Sequence, residues 1–272
     1  MRIATISRAV CGLALLFLML GACTSNPSPT THARHPSTAK ASAPSTSTKV
    51  SASAPVAIGV PTFIYHSVFG RSVQGQALVM FRMGPLNAHR RILVVGVIHG
   101  NETAGRSIAR DLLLTSATAT TEVVVVPDLS PDGSVLETRQ NARAVDLNRN
   151  FPYRWKSLGR RGDMQYSGTG PLSEPESQAM VALIRRLRPT VSVWFHQSLD
   201  VVDELGGSVV VESRFANILG LPLLRMRRYN GSAASWENTR FLGTTAFVVE
   251  LPRRESASLV TKVMRALKDL EH

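Results

Sequence analysis

Cysteine is almost missing from this chain: of 272 residues only Cys11 and Cys23 are cysteines, both near the N-terminus. The folded part can therefore hold no disulfide, no thiolate nucleophile and no Cys-ligated zinc, so any metal must be held by histidine and carboxylate. Acidic residues are absent from residues 1–56, which carry Arg2, Arg8, Arg34, Lys40 and Lys49. The formal charge of +12 thus falls to about +7 for the remainder, with 26 bases against 19 acids. Aromatic residues make up only 6% of the chain, and no stretch interleaves them with clustered Lys and Arg, which argues against a nucleic-acid partner. Long hydrophobic runs are also lacking. The longest, Ala9 to Leu20, has about 12 residues and falls short of the ~20 needed to span a bilayer.

That short run, preceded by Arg2 and Arg8 and followed by small residues, reads as an export signal over residues 1–22. Leu20-Gly21-Ala22-Cys23 resembles the bacterial lipoprotein signal, in which the cysteine becomes the lipidated first residue of the mature chain. Residues 23–56 then form a Ser/Thr/Ala/Pro-rich tether without the apolar side chains a core requires. The expected location is outside the cell, lipid-anchored through Cys23 to the outer face of a bacterial membrane.

Residues 57–272 read as one α/β domain, a mixed, mostly parallel twisted sheet with helices on both faces. Arg91 to Ile98, Glu122 to Val126, Val191 to Phe195 and Ala246 to Val249 are continuous apolar runs suited to a sheet buried on both faces, with Ser208 to Val211 a weaker strand candidate. Helical spacing marks Thr103 to Leu114, Glu174 to Leu187 and Ala257 to Leu270. In such sheets chemistry gathers at the carboxyl ends of strands.

His99 and Glu102 follow one of these strands, and His196 ends another. Two histidines and a carboxylate are a catalytic zinc set, with the fourth position left open. Each signal alone is weak, since a lone histidine at a strand end is more often a hydrogen-bonded structural residue. Two more features join them. Asn148-Arg149 offers a carboxamide beside a guanidinium, suited to gripping a substrate carboxylate. Glu250 ends the strand that begins at Ala246, where a carboxylate free of metal could move a proton; its plain alternative is a surface acid beside Arg253 and Arg254.

Taken together and in this order, these residues resemble the zinc carboxypeptidase family, the metallopeptidases similar to carboxypeptidase A, over most of residues 57–272. The resemblance implies one Zn²⁺ held by His99, Glu102 and His196, with Glu250 as general base. It also implies Asn148 and Arg149 as the pair that binds a terminal carboxylate, and Arg139 as the residue that polarises the scissile carbonyl. Tyr229, shortly before Gly231-Ser232, stands roughly where the family has a mobile substrate-capping tyrosine, or is a loop residue. Pro131-Asp132-Gly133, Thr138 to Arg143, Val145 to Pro152, Tyr166-Ser167-Gly168, Pro171 to Glu176 and Phe195-His196-Gln197 are similar to the bacterial murein peptide amidases. Those enzymes cut between γ-D-glutamate and diaminopimelate in wall peptides, so the expected partner is a peptidoglycan stem peptide and the expected state a monomer. Three alternatives stand beside this reading. One is a carboxypeptidase trimming ordinary C-terminal residues, one an acyl-amino-acid hydrolase of the aspartoacylase and succinylglutamate desuccinylase group, and one an inactive wall-peptide-binding lipoprotein.

Overall fold

The computed structural model describes residues 64–272, except 87, 116–118 and 255. The expected export signal, Cys23 and the tether lie outside the described residues. In chain order, β1 (Ile64–Arg71) and β2 (Ala77–Met83) form an antiparallel hairpin, and β3 (Arg90–Val95) leads into α1 (Ala104–Leu112). β4 (Thr121–Val126) is followed by a short α2 (Pro131–Val135), a single 3-10 turn at Leu147–Arg149, and α3 (Pro175–Leu187). Then come β5 (Val191–Gln197), β6 (Val201–Asp203), α4 (Val209–Leu219), the two-residue β7 (Leu223–Leu224), α5 (Ala233–Arg240), β8 (Thr245–Leu251) and α6 (Ala257–Asp269).

All eight strands join one mixed sheet in the order β1-β2-β4-β3-β5-β8-β6-β7. Its centre, β4-β3-β5-β8, is parallel, whereas β2 runs antiparallel to β4 and β6 antiparallel to β8. Side chains alternate across the sheet. Leu93, Val95, Trp194 and Val248 enter a core with α3 and α5, and Ile92, Val94, Phe195 and Val249 enter a second core with α1, α4 and α6. Both faces of the parallel centre are dry, which is why its strands read as unbroken apolar runs. None of the described helices is long and apolar enough to cross a membrane.

The four strong strand expectations and the three helices are found, with ends moved by a few residues. β3 stops at Val95, so residues 96–98 separate it from His99, while His196 and Glu250 lie inside β5 and β8. The weaker strand at Ser208 to Val211 is corrected. Ser208 is the N-cap of α4, and Glu212, Phe215, Ala216 and Leu219 are buried at helical spacing. A three-valine run carries a β preference of only tenths of a kcal/mol per residue, which a packed helical face overrides.

α5 braces the sheet beneath the cleft. Asn238 donates to the carbonyls of Leu205 and Ala246 and accepts from the Ala246 N–H. The preceding residue, Glu237, is fully buried and hydrogen-bonded to the Ser192 hydroxyl on β5. Burial is the main cause that raises its pKa from 4.5 to about 7, with the Ser192 bond partly opposing. Between those two values the folded state holds a proton that the unfolded chain releases, so this group's contribution to stability falls as pH rises. Glu237→Gln should remove that component: in urea melts the variant should gain on the order of 2–3 kcal/mol relative to wild type between pH 5 and pH 8. Identical pH slopes for the two proteins would show that Glu237 is not protonated in the native core.

Candidate active site

The loop after β3 carries His99 and Glu102 and ends at Thr103, the N-cap of α1. Gly105 permits this tight entry, because a Cβ there would lie 2.0 Å from the Gly96 carbonyl oxygen and 2.6 Å from Phe195 Cβ. His196 arrives from β5, two residues beyond Trp194 and on the same face of the sheet. In the parallel β5–β8 register His196 stands directly beside Glu250. Distant parts of the sequence thus meet because two central strands pair in one register.

His99 Nδ1 and His196 Nδ1 each lie 3.0 Å from Glu102 Oε2. All three residues are buried, and one ligand atom from each lies within 4.8 Å of the others. Asp146 Oδ1 is 3.0 Å from His99 Nε2. A carboxylate only accepts, so it places the imidazole proton on Nε2 and leaves the Nδ1 lone pair facing Glu102. Two neutral imidazole nitrogens plus a carboxylate, with one histidine fixed from behind by a second carboxylate, fit zinc.

Electrostatics support that donor set. Burial alone would raise the pKa of Glu102, but when His99 carries a second proton on Nδ1, its charge and the hydrogen bonds from both histidines overcome burial and hold the carboxylate ionised far below its usual range. Asp146 behaves likewise: burial is outweighed by His99 and Arg139. On His99 burial opposes the charged form, yet Glu102 and Asp146 raise its pKa. The field that draws a proton to this imidazole would equally draw a metal cation to the same lone pair.

Arg139 donates from Nη1 to Glu102 Oε1 at 2.8 Å and from Nε to Asp146 Oδ2 at 3.0 Å, while Nη2 has no hydrogen bond among the described residues. Asp146 also accepts from the Asn148 N–H at 2.9 Å, capping the 3-10 turn that presents Asn148 and Arg149. Asn148 Oδ1 accepts from the Ala233 N–H at 2.9 Å, which leaves its amide nitrogen near His196 Nε2 at 3.5 Å. Arg149 is buried and forms no ion pair among the described residues, and its Nε has no partner. Burial lowers its pKa, opposed chiefly by Asp146. Its guanidinium lies 4.3 Å from the ring centroid of exposed Tyr229. The Tyr229 loop can pack here because Gly231, at φ +76°, has no Cβ; one would meet the Arg149 carbonyl oxygen at 1.9 Å.

Of the site residues expected from the sequence, Glu102, Arg139, Asn148, Arg149, His196, Tyr229 and Glu250 line one cleft of about 410 Å³, and His99 lies just behind Glu102. Glu250 Oε2 is buried without a hydrogen-bond partner among the described residues, and burial is the main cause that raises its pKa, partly opposed by His196. An unsatisfied carboxylate oxygen beside a metal-type donor set is suited to moving protons. Asp146 had no assigned role in the sequence reading, although an acid two residues before Asn148 is a cap signal. Asp203, another wall residue, was missed because β6 has only three residues.

The family model for zinc carboxypeptidases matches residues 56–202. The chain belongs to the zinc carboxypeptidase family. As a zinc carboxypeptidase relative it is a metallopeptidase; the family name implies zinc, and the buried His99-Glu102-His196 group could hold a metal ion. Murein peptide amidase A of Escherichia coli strain K12 is 32% identical over 215 residues, covering 74% of this chain and 87% of its own. Murein peptide amidase A of Vibrio campbellii is 33% identical over 201 residues, covering 68% and 78%. Among solved structures, murein-tripeptide amidase MpaA from Escherichia coli O157 superposes with a TM-score of 0.62 at 30% identity, over 79% of this chain and 93% of that one. In this zinc carboxypeptidase, Asp146→Asn should weaken zinc retention about 10–100-fold, because an amide orients His99 less firmly and adds no negative charge. Competition with a chromogenic chelator measures it; wild-type affinity in the variant would remove Asp146 from the metal site.

Proposed function

We propose that the protein is an exported, zinc-dependent amidase of murein peptides, acting as a monomer on the bond between γ-D-glutamate and diaminopimelate. The observation that carries this reading is the cleft itself. A His99-Glu102-His196 donor set, the partnerless oxygen of Glu250 and the unpaired guanidinium of Arg149 share it. The murein substrate is supported by the names of the relatives, which cover most of the chain.

His99, Glu102 and His196 would hold one zinc ion, which supplies Lewis-acid polarisation and lowers the pKa of a water towards ~7. Glu250 accepts the proton of the attacking water and delivers it to the departing amine; its poor solvation suits both tasks. Arg139, locked by Glu102 and Asp146, presents its free Nη2 to the carbonyl oxygen as negative charge develops there. Asn148 and Arg149 take the carboxylate next to the scissile amide and so fix which bond reaches Glu250. Tyr229, stacked on Arg149, closes over the bound residue. A complete set of reacting groups favours an enzyme over a wall-peptide-binding protein that has lost activity.

The test pairs substrates with a variant. Zinc-loaded protein should release diaminopimelate from L-Ala-γ-D-Glu-diaminopimelate, detected by mass, and should act poorly on a blocked dipeptide of ordinary L-residues. Glu250→Gln should keep its zinc while kcat drops at least about 10²–10⁴-fold. Preference for the ordinary dipeptide would select the carboxypeptidase alternative, and an active Gln variant would remove Glu250 from proton transfer.

Anchoring through Cys23 is part of this proposal and is supported by the sequence Leu20-Gly21-Ala22-Cys23 after a short apolar run. A bacterial host fed an alkyne-labelled fatty acid should label the wild type but not Cys23→Ser. Label in both, or in neither, contradicts lipidation at this cysteine.

A further inference from the structure

The cleft extends past the reacting groups along β6. In the antiparallel β6–β8 pair Val201 faces Glu250 and Asp203 faces Val248, so Asp203 shares the face of Glu250 and is its diagonal neighbour. Diagonal Cβ atoms in such a pair are about 7–8 Å apart, close to the reach of a lysine-length stem of four carbons. The same cleft is lined by apolar Leu205, Met226 and Val248, the last paired with Asp203 across the strands.

Asp203 is only 7% exposed. Its Oδ1 accepts from the Met226 N–H at 2.9 Å, and Oδ2 has no hydrogen bond among the described residues. Among the described residues no cation pairs with it. Arg225 is engaged by Glu204, Arg139 is bound to Glu102 and Asp146, and Arg228 acts on Asp203 only beyond ion-pair distance. Burial, and then the like charge of Glu204, raise its pKa to about 6 against the Met226 bond and the more distant Arg228, as expected for a shielded carboxylate without a counter-charge at ion-pair distance. An asparagine would serve the Met226 contact equally well, so the backbone bond does not account for the charge. A cleft-lining acid with one oxygen free of hydrogen bonds among the described residues, and apolar side chains in the same wall, match an aliphatic stem tipped with an ammonium group.

We infer that Asp203 is a specificity-determining residue, accepting a hydrogen bond at Oδ2 from the side-chain ammonium of the residue whose carboxylate Asn148 and Arg149 hold. The inference rests on the proposed carboxylate grip and goes beyond it: the leaving residue is a diamino acid because the cleft supplies the counter-charge for its second amine.

The experiment compares kcat/KM on L-Ala-γ-D-Glu-X, with X as meso-diaminopimelate, lysine or norleucine, for wild-type holoenzyme, Asp203→Asn and Asp203→Glu. Wild type should prefer the two amines over norleucine by at least about tenfold. Asn should bring that ratio to within about threefold of one, and Glu should retain part of it. A ratio unchanged in Asn, or a wild type indifferent to the amine, overturns the inference. Benzoyl-glycyl-lysine and benzoyl-glycyl-norleucine give the same ratio without a γ-D-glutamyl bond. If only these are cleaved, the murein reading fails while Asp203 is still tested. Should Asn fail to fold, competitive inhibition of wild type by free lysine and free norleucine decides it, equal inhibition constants overturning the assignment.

Discussion

One buried carboxylate ties the site together. Asp146 accepts from His99 at Nε2, from Arg139 at Nε and from the N–H of Asn148, so the metal-type donor set, Arg139 and the turn that presents Asn148 and Arg149 share one support. A fully buried carboxylate is tolerated only when its lone pairs are filled by donors. Here each donor belongs to a different functional part, so the requirement to satisfy Asp146 also fixes their spacing. Asp146 is not itself a cleft wall.

The second constraint is strand register. Within a parallel pair, a slip of one residue turns every side chain to the opposite face. His196 and Glu250 meet only because Val193 pairs with Phe247 and Trp194 with Val248, pairings locked by two dry cores. Below them α5 fixes the sheet through Asn238 and Glu237, and above them Gly231 lets the Tyr229 loop lie against the Arg149 backbone. The cleft is therefore set by rigid elements on three sides, a preorganisation that suits a reaction in which charge builds up at one oxygen.

The charge layout of the cleft is uneven in a purposeful way. Arg139 is neutralised by two carboxylates, whereas Arg149 and Asp203 are buried with no ion pair among the described residues. Unpaired buried charges are unfavourable for folding, so a free cation and a free anion in one cleft suit a ligand that carries both complementary charges. A diamino acid with a free carboxylate is such a ligand.

The sequence by itself determined the parallel core, the helices α1, α3 and α6, and the candidate donor residues. Continuous apolar runs and helical spacing follow from burial of whole faces, and His99, Glu102, His196 and Glu250 are marked by their places at strand ends. Short or locally ambiguous pieces were not legible: the three residues of β6, and the valines at 209–211 that look extended yet begin α4. Tertiary structure alone decided which face each strand end shows, that Asp146 is the common support, that Tyr229 reaches Arg149, and that Asp203 faces the same cleft. The reason is physical. Periodicity records how much of an element is buried, while partners across the sheet depend on register and packing between segments far apart in the chain.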